Sequence, residues 1–121
     1  MDFPKEMGSF DLITMWEVTE HMPDPATDVK IAWDLLKQNG LIAISTPNLG
    51  SLRYRLKNER WRGFTDDPKH IFFFDARTLI GLLTKCGFKI KKVLTRKISP
   101  VLWRWLAYFG LGNELEIYAQ K

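Results

Sequence analysis

The densest run of chemically competent side chains is Glu17-Val18-Thr19-Glu20-His21, two carboxylates and an imidazole within five residues. Three readings fit it. Its oxygen and nitrogen donors can converge on a divalent cation such as magnesium, manganese or zinc. The His21 imidazole can take a proton from an acceptor near neutral pH. In the plainest reading, Glu20 and His21 only shape the loop through hydrogen bonds. A second imidazole, His70, precedes Ile71-Phe72-Phe73-Phe74. It is a candidate second base or substrate contact, and equally a structural histidine, whereas the phenylalanine triplet reads as core. Arg53, Arg55, Lys57, Arg60 and Arg62 form a basic stretch suited to an anionic substrate. A solvated helix face, offset by Glu59, Asp66 and Asp67, describes that stretch better.

Regular elements must hold these groups in place. Residues 10–16 are a compact apolar run that predicts a buried strand, with Met15 and Trp16 at its carboxyl end. Asp24 is placed to cap the next helix, with Pro25 at its first position. Val29, Ala32, Trp33 and Leu36 then share one helical face, and Asn39-Gly40 supplies a left-handed stop. Leu41–Ser45 reads as a strand covered on both faces, which completes a strand-helix-strand unit. Residues 47–74 are a long basic and aromatic connection with a short helix over Ser51–Lys57. Asp75 caps a further helix with Leu79, Leu82, Leu83 and Cys86 on one face, ended by Gly87. Phe88–Arg96 predicts a strand whose alternation slips near Lys91-Lys92, a mark of a bulge or an edge. Residues 101–110 suggest an aromatic helix or turn, and Glu114–Gln120 alternates as an antiparallel strand does.

Composition narrows the classes. The chain of 121 residues is long enough for one small domain, and 45% hydrophobic residues suffice for a core. Five Trp and eight Phe fill that core or mark surface that something else covers. A net charge of +4 gives no argument for nucleic acid. The lone Cys86 excludes an internal disulfide framework and suits a reducing, cytoplasmic setting. The segment from Met1 to Gly8 has neither signal-peptide nor transit-peptide character. The most apolar stretch, Ile98–Leu111, is broken by Arg104 and falls short of the roughly 20 residues that span a bilayer. Trp103, Trp105, Tyr108 and Phe109 fit a cap over the sheet better than an interfacial membrane anchor.

The order of elements and the local sequences resemble the second half of class I S-adenosylmethionine-dependent methyltransferases. Phe10-Asp11-Leu12-Ile13 with Trp16-Glu17-Val18 and Glu20-His21-Met22-Pro23 looks like the family's fourth strand and following loop. Leu35-Leu36-Lys37-Gln38-Asn39-Gly40-Leu41 is similar to its turn into the fifth strand, with Gln38-Asn39 departing from the usual residues. Thr46-Pro47-Asn48, Trp61, Pro68-Lys69-His70, Phe74 and Gly87-Phe88 have counterparts in the subgroup resembling ubiquinone-biosynthesis O-methyltransferases. The likeness spans residues 9–121. It implies an α/β, Rossmann-like sheet with strands in the order 4-5-7-6, the last antiparallel, and residues 1–121 as a single partial domain. Missing is the half that carries a glycine-rich turn and a ribose-binding acid. The only G-x-G here, Gly110-Leu111-Gly112, comes late, before the final strand.

The resemblance also implies function: methyl transfer from S-adenosylmethionine to a small-molecule acceptor, through an oxygen. It places Met15 and Trp16 near the cofactor, His21 and His70 as catalytic candidates, and Glu17, Glu20 and His21 as candidate ligands of a divalent cation. Without the first half, the chain alone is expected not to catalyse the reaction. Its strand 10–16 should keep an unpaired edge, open to a homodimer, another partner, or a separately encoded first half.

Overall fold

The computed structural model describes residues 8–57, 60, 69–96 and 110–121. β1 (Phe10–Trp16) leads through a 3-10 turn (Thr19–His21) into α1 (Pro25–Leu35), and β2 (Leu36–Pro47) follows directly. Then come α2 (Leu52–Lys57), α3 (Ala76–Lys85), β3 (Lys89–Arg96) and β4 (Glu114–Gln120). The strands form one sheet in the order β1-β2-β4-β3. β1 runs parallel to β2, and β4 is inserted antiparallel to both β2 and β3, the arrangement that the resemblance implies.

Helix boundaries follow from local chemistry. The Asp24 carboxylate accepts the Thr27 N–H (3.1 Å) and the Thr27 hydroxyl (2.7 Å), so α1 starts at Pro25. Those two donors hold the Asp24 carboxyl below its ordinary range. Asp75 caps α3 and goes further than expected: Thr78 accepts the Asp75 N–H and completes a reciprocal capping box. The Thr78 N–H lowers the Asp75 pKa, against a partial desolvation that raises it. Gly87 ends this helical segment at φ +104, and a Cβ there would lie 3.0 Å from the Trp33 ring, which stacks edge-on against Phe88.

The end of α1 differs from expectation. The helix stops at Leu35, and Asn39 (φ 67) lies inside β2. There the pairing with β1 slips between Phe10 and Leu12, so Asn39-Gly40 makes a kink in the strand and does not stop the helix. The C-terminal residue supplies the missing cap. Lys121 Nζ donates to the carbonyls of Trp33 (2.7 Å) and Leu36 (2.8 Å), where a cation also suits the helix dipole.

The core lies between the helices and one face of the sheet. Val29, Ala32 and Leu36, Ile42 and Ile44 of β2, Leu79 and Leu83 of α3, and Leu115, Ile117 and Ala119 of β4 are buried together. Each leucine or isoleucine contributes roughly 1.5–3 kcal/mol by leaving water. β2 is buried from Ile42 to Thr46, whereas Leu41, the first residue of the run expected to be covered, is 42% exposed. β1 is not the buried strand that was expected. Phe10, Leu12 and Trp16 are 40%, 54% and 47% exposed, and only Ile13 and Met15 pack toward the core. The reason is topological: β2 is its only partner strand among the described residues, so one edge and one face stay open. β3, at the opposite edge, slips between Ile90 and Lys92 and exposes Lys89, Lys91 and Lys92, which discourages further strand pairing.

The connection after β2 is anchored by Asn48. Its Nδ2 donates to the carbonyls of Gly110 (3.1 Å) and Gly112 (2.7 Å), its Oδ1 accepts the Gly50 N–H, and its N–H donates to Asn113. α2 matches the expected short helix and carries Arg53, Arg55 and Lys57. Trp61, Arg62, Pro68 and the aromatic stretch 101–109 lie outside the described residues.

Candidate active site

β1 ends at its carboxyl edge in a non-glycine left-handed residue, Glu17 (φ 52). The Glu17 N–H is shared between the Ser45 carbonyl (3.1 Å) and Ser45 Oγ (3.2 Å), and Ser45 Oγ donates to Glu17 Oε1 (3.1 Å). Backbone in this region costs on the order of 1 kcal/mol and persists only where its surroundings impose it. Here it turns the chain sharply away from the sheet and into the 3-10 turn, and it directs the Glu17 carboxylate toward β2.

The turn delivers Glu20 and His21 to the loop that precedes α3. The Glu20 carbonyl accepts the N–H groups of Ile71 (2.8 Å) and Phe72 (3.1 Å). His21 Nδ1 lies 3.2 Å from the Lys69 carbonyl. A carbonyl can only accept, so this bond requires the proton on Nδ1 and leaves the lone pair on Nε2. The His21 and His70 rings meet edge-on with centroids 4.7 Å apart, and His70 lies 6.2 Å from Phe73. One donor atom each from Glu20, His21 and His70 falls within 4.8 Å of the others. Glu20 is 1% exposed, and neither of its carboxylate oxygens has a hydrogen-bond partner. Thr19 and Thr46 also bury hydroxyls without partners.

The structure thus regroups the candidate residues. Glu20 and His21 lie together and are joined by His70, far along the chain, while Glu17 is tied to Ser45 and stands outside the cluster. Met15 is half-buried and lines an apolar groove of about 460 Å³ between β1 and α1, with Phe10, Ile13, Val18, Met22 and Ile31. Trp16 projects from the sheet margin. The described residues that line this groove are apolar apart from Asp28. The Lys69 and Glu20 carbonyls, which fix the geometry of the cluster, carry no signal in the sequence, because any residue type presents the same carbonyl.

No helix among the described residues is long and apolar enough to cross a membrane. A family model described as a methyltransferase domain matches residues 1–93. The chain is 40% identical over 109 residues to the ubiquinone biosynthesis O-methyltransferase of Ralstonia nicotianae, covering 84% of this chain and 44% of that protein. It therefore spans less than half the length of that curated relative. Among solved structures it is similar to a Thermotoga maritima S-adenosylmethionine-dependent methyltransferase, described as a possible histamine N-methyltransferase, at TM-score 0.74 and 22% identity, covering 99% of this chain and 60% of that one. It is also similar to an Archaeoglobus fulgidus S-adenosylmethionine-dependent methyltransferase at TM-score 0.66 and 20% identity, covering 95% and 61%. With a family model over most of its length and this sheet order, the chain belongs to the class I S-adenosylmethionine-dependent methyltransferase family.

Proposed function

We propose that this chain is the acceptor-side half of a methyltransferase that transfers a methyl group from S-adenosylmethionine to an oxygen of a small molecule. The cluster of Glu20, His21 and His70 at the carboxyl end of β1 carries the reading, because ligands of open α/β sheets bind at that end of the strands. The name of the Ralstonia relative supports an oxygen acceptor. When bound, S-adenosylmethionine supplies an electrophilic methyl group on a sulfonium centre. Met15 and Trp16 would wall its site. His21, with Nδ1 bonded to Lys69, presents the Nε2 lone pair to the acceptor hydroxyl and can remove its proton. His70 lies against His21 and helps orient the acceptor, and most of the rate would come from holding the two reactants in line.

This reading assigns the glycine-rich half of the cofactor site to a segment other than the 121 residues of this chain. Isothermal titration of the chain with S-adenosylmethionine is expected to show no binding in the micromolar range. A micromolar dissociation constant would sink the half-site reading.

The exposure of Phe10, Leu12, Trp16 and Val18 beside the open edge of β1 favours a second role, self-association through that edge. The same edge suits a separately encoded first half. Sedimentation of the chain alone should show a dimer that dissociates on dilution. A monomer at every concentration counts against strand-edge pairing.

A further inference from the structure

The geometry points to Ser45 as a positioning residue for His21: its buried hydroxyl holds Glu17 in a left-handed turn, and that turn sets where the His21 ring stands. Positive φ is uncommon in a residue other than glycine. Glu17 (φ 52) and Asn39 (φ 67) are the two such residues among the described ones. Asparagine enters this region readily, and glutamate does not. The surroundings must therefore hold Glu17 there. Ser45 Oγ does so at two points, accepting the Glu17 N–H (3.2 Å) and donating to Glu17 Oε1 (3.1 Å). The Ser45 carbonyl also accepts that N–H (3.1 Å), but this bond only extends the β1–β2 ladder and suits an extended residue equally. The hydroxyl ties the backbone and the carboxylate of Glu17 to one atom.

The anchor is rigid, and its proton is directed. Ser45 is 1% exposed and lies in β2, with β1 on one side and β4 on the other. Its register partners are Trp16 and Glu116. Residues directly opposite in an antiparallel pair share a face, so the Glu116 carboxylate stands beside the Ser45 hydroxyl. Both Glu116 oxygens are already engaged, Oε1 by Arg96 Nε (2.8 Å) and Oε2 by the Tyr118 hydroxyl (3.1 Å). The Ser45 proton is left to Glu17. Beyond Glu17 the chain enters the 3-10 turn, which the His21 N–H closes on the Val18 carbonyl (3.0 Å). The His21 ring then meets the Lys69 carbonyl at 3.2 Å and the edge of His70. A rotation at Glu17 would swing the whole turn and break the bond that keeps the proton on His21 Nδ1.

In the sequence Ser45 is only the polar end of an apolar run. Its role is set by what β2 and β1 bring together, and it acts through Glu17 rather than on the reactants. The structural claim stands on this chain alone. Its kinetic consequence rests on the reading of His21 as the base, since the Nδ1-protonated ring is the one that presents an Nε2 lone pair.

The test is the long-range proton–nitrogen correlation spectrum of the two imidazoles in the full chain, with no cofactor or acceptor, at a pH well above the imidazole range. His70→Gln assigns the signals. The parent is expected to hold His21 in the Nδ1-protonated tautomer. Ser45→Ala removes one oxygen and leaves the Glu17 N–H on the carbonyl of position 45, so the fold should persist by circular dichroism while His21 relaxes to the mixed tautomers of a free imidazole. If Ser45→Ala fails to fold, Ser45→Cys replaces it and should give the same mixing, because a thiol is a weak donor and acceptor. Glu17→Gln should match the parent, because an amide oxygen still accepts from Ser45. Glu17→Asn in the Ser45→Ala background should restore the parent spectrum, because asparagine adopts the left-handed turn at low cost. A His21 tautomer unchanged by Ser45→Ala overturns the inference. Mixing in Glu17→Gln equal to that in Ser45→Ala, or no recovery with Glu17→Asn, overturns the route through the Glu17 backbone. In a domain that joins this chain to a cofactor-binding half, Ser45→Ala should lower kcat roughly 10–100-fold with KM within about twofold, the scale of a reacting group misplaced from a distance. An unchanged kcat beside a mixed tautomer would count against His21 as the base. An inactive parent domain would count against the methyl-transfer reading and leave the tautomer result standing.

Discussion

Replacing His21 by alanine is expected to lower kcat for methyl transfer by about 10²–10⁴-fold, the usual contribution of a positioned base, in a domain that joins this chain to a cofactor-binding half. The size of the effect follows from how firmly the ring is held. Its Nδ1 is engaged by the Lys69 carbonyl across 48 residues of sequence, and its ring packs edge-on with His70. Neither nearby carboxylate is placed to replace its Nε2: Glu17 is committed to Ser45, and Glu20 is buried. The loss should fall mainly on kcat, because the proton leaves the acceptor during reaction rather than on binding. A steady-state comparison of kcat and KM with the parent enzyme decides the matter. A decrease of less than about threefold, or one confined to KM, would reassign His21 to acceptor binding or to loop structure.

Gly112→Ala is expected to destabilise the chain by about 3 kcal/mol, at the severe end of overpacking in a closely packed interior. A Cβ at this position would lie 2.7 Å from the backbone nitrogen and oxygen of Arg96. These are backbone atoms at the end of β3 and cannot rotate away as a side-chain tip can. Gly112 also donates its N–H to Thr95 Oγ1 (3.1 Å) and accepts the Asn48 amide (2.7 Å). A shift there would pull on both β3 and the connection after β2. Gly110→Ala makes the useful comparison. Its φ of +76 penalises a side chain, but a Cβ there meets nothing within 4 Å, so the cost should be near 1 kcal/mol. Urea denaturation of the two variants beside the parent measures both. Equal losses, or a Gly112→Ala loss under about 1 kcal/mol, would show that the backbone relaxes around the added methyl.

These two glycines also explain why the late Gly110-Leu111-Gly112 is no cofactor loop. One supplies a left-handed turn and the other permits a close approach between strands, so the pattern has a complete structural cause. Sequence alone could set the motif aside only by its position. The same contrast runs through the helices. Asp24 before Pro25 and Asp75 before α3 announced both starts, because capping is chemistry between residues three apart. The end of α1 lies at Leu35 and not at Asn39-Gly40, because its last carbonyls are met by Lys121, distant in sequence.

By itself the sequence determined the order of the described elements, the helix starts, the slip in alternation near Lys91-Lys92 and the antiparallel final strand, all of which follow from periodicity and neighbouring residues. It also placed Glu20 and His21 on one short turn. Only the tertiary structure decided that His70 joins them, that Glu17 turns away to Ser45, and that β1 stands half-open to solvent. The physical reason is the same in each case. Which donor a side chain meets, and whether a strand face is covered, depends on segments brought together by sheet pairing across dozens of residues. Residue type and spacing along the chain do not encode those distances.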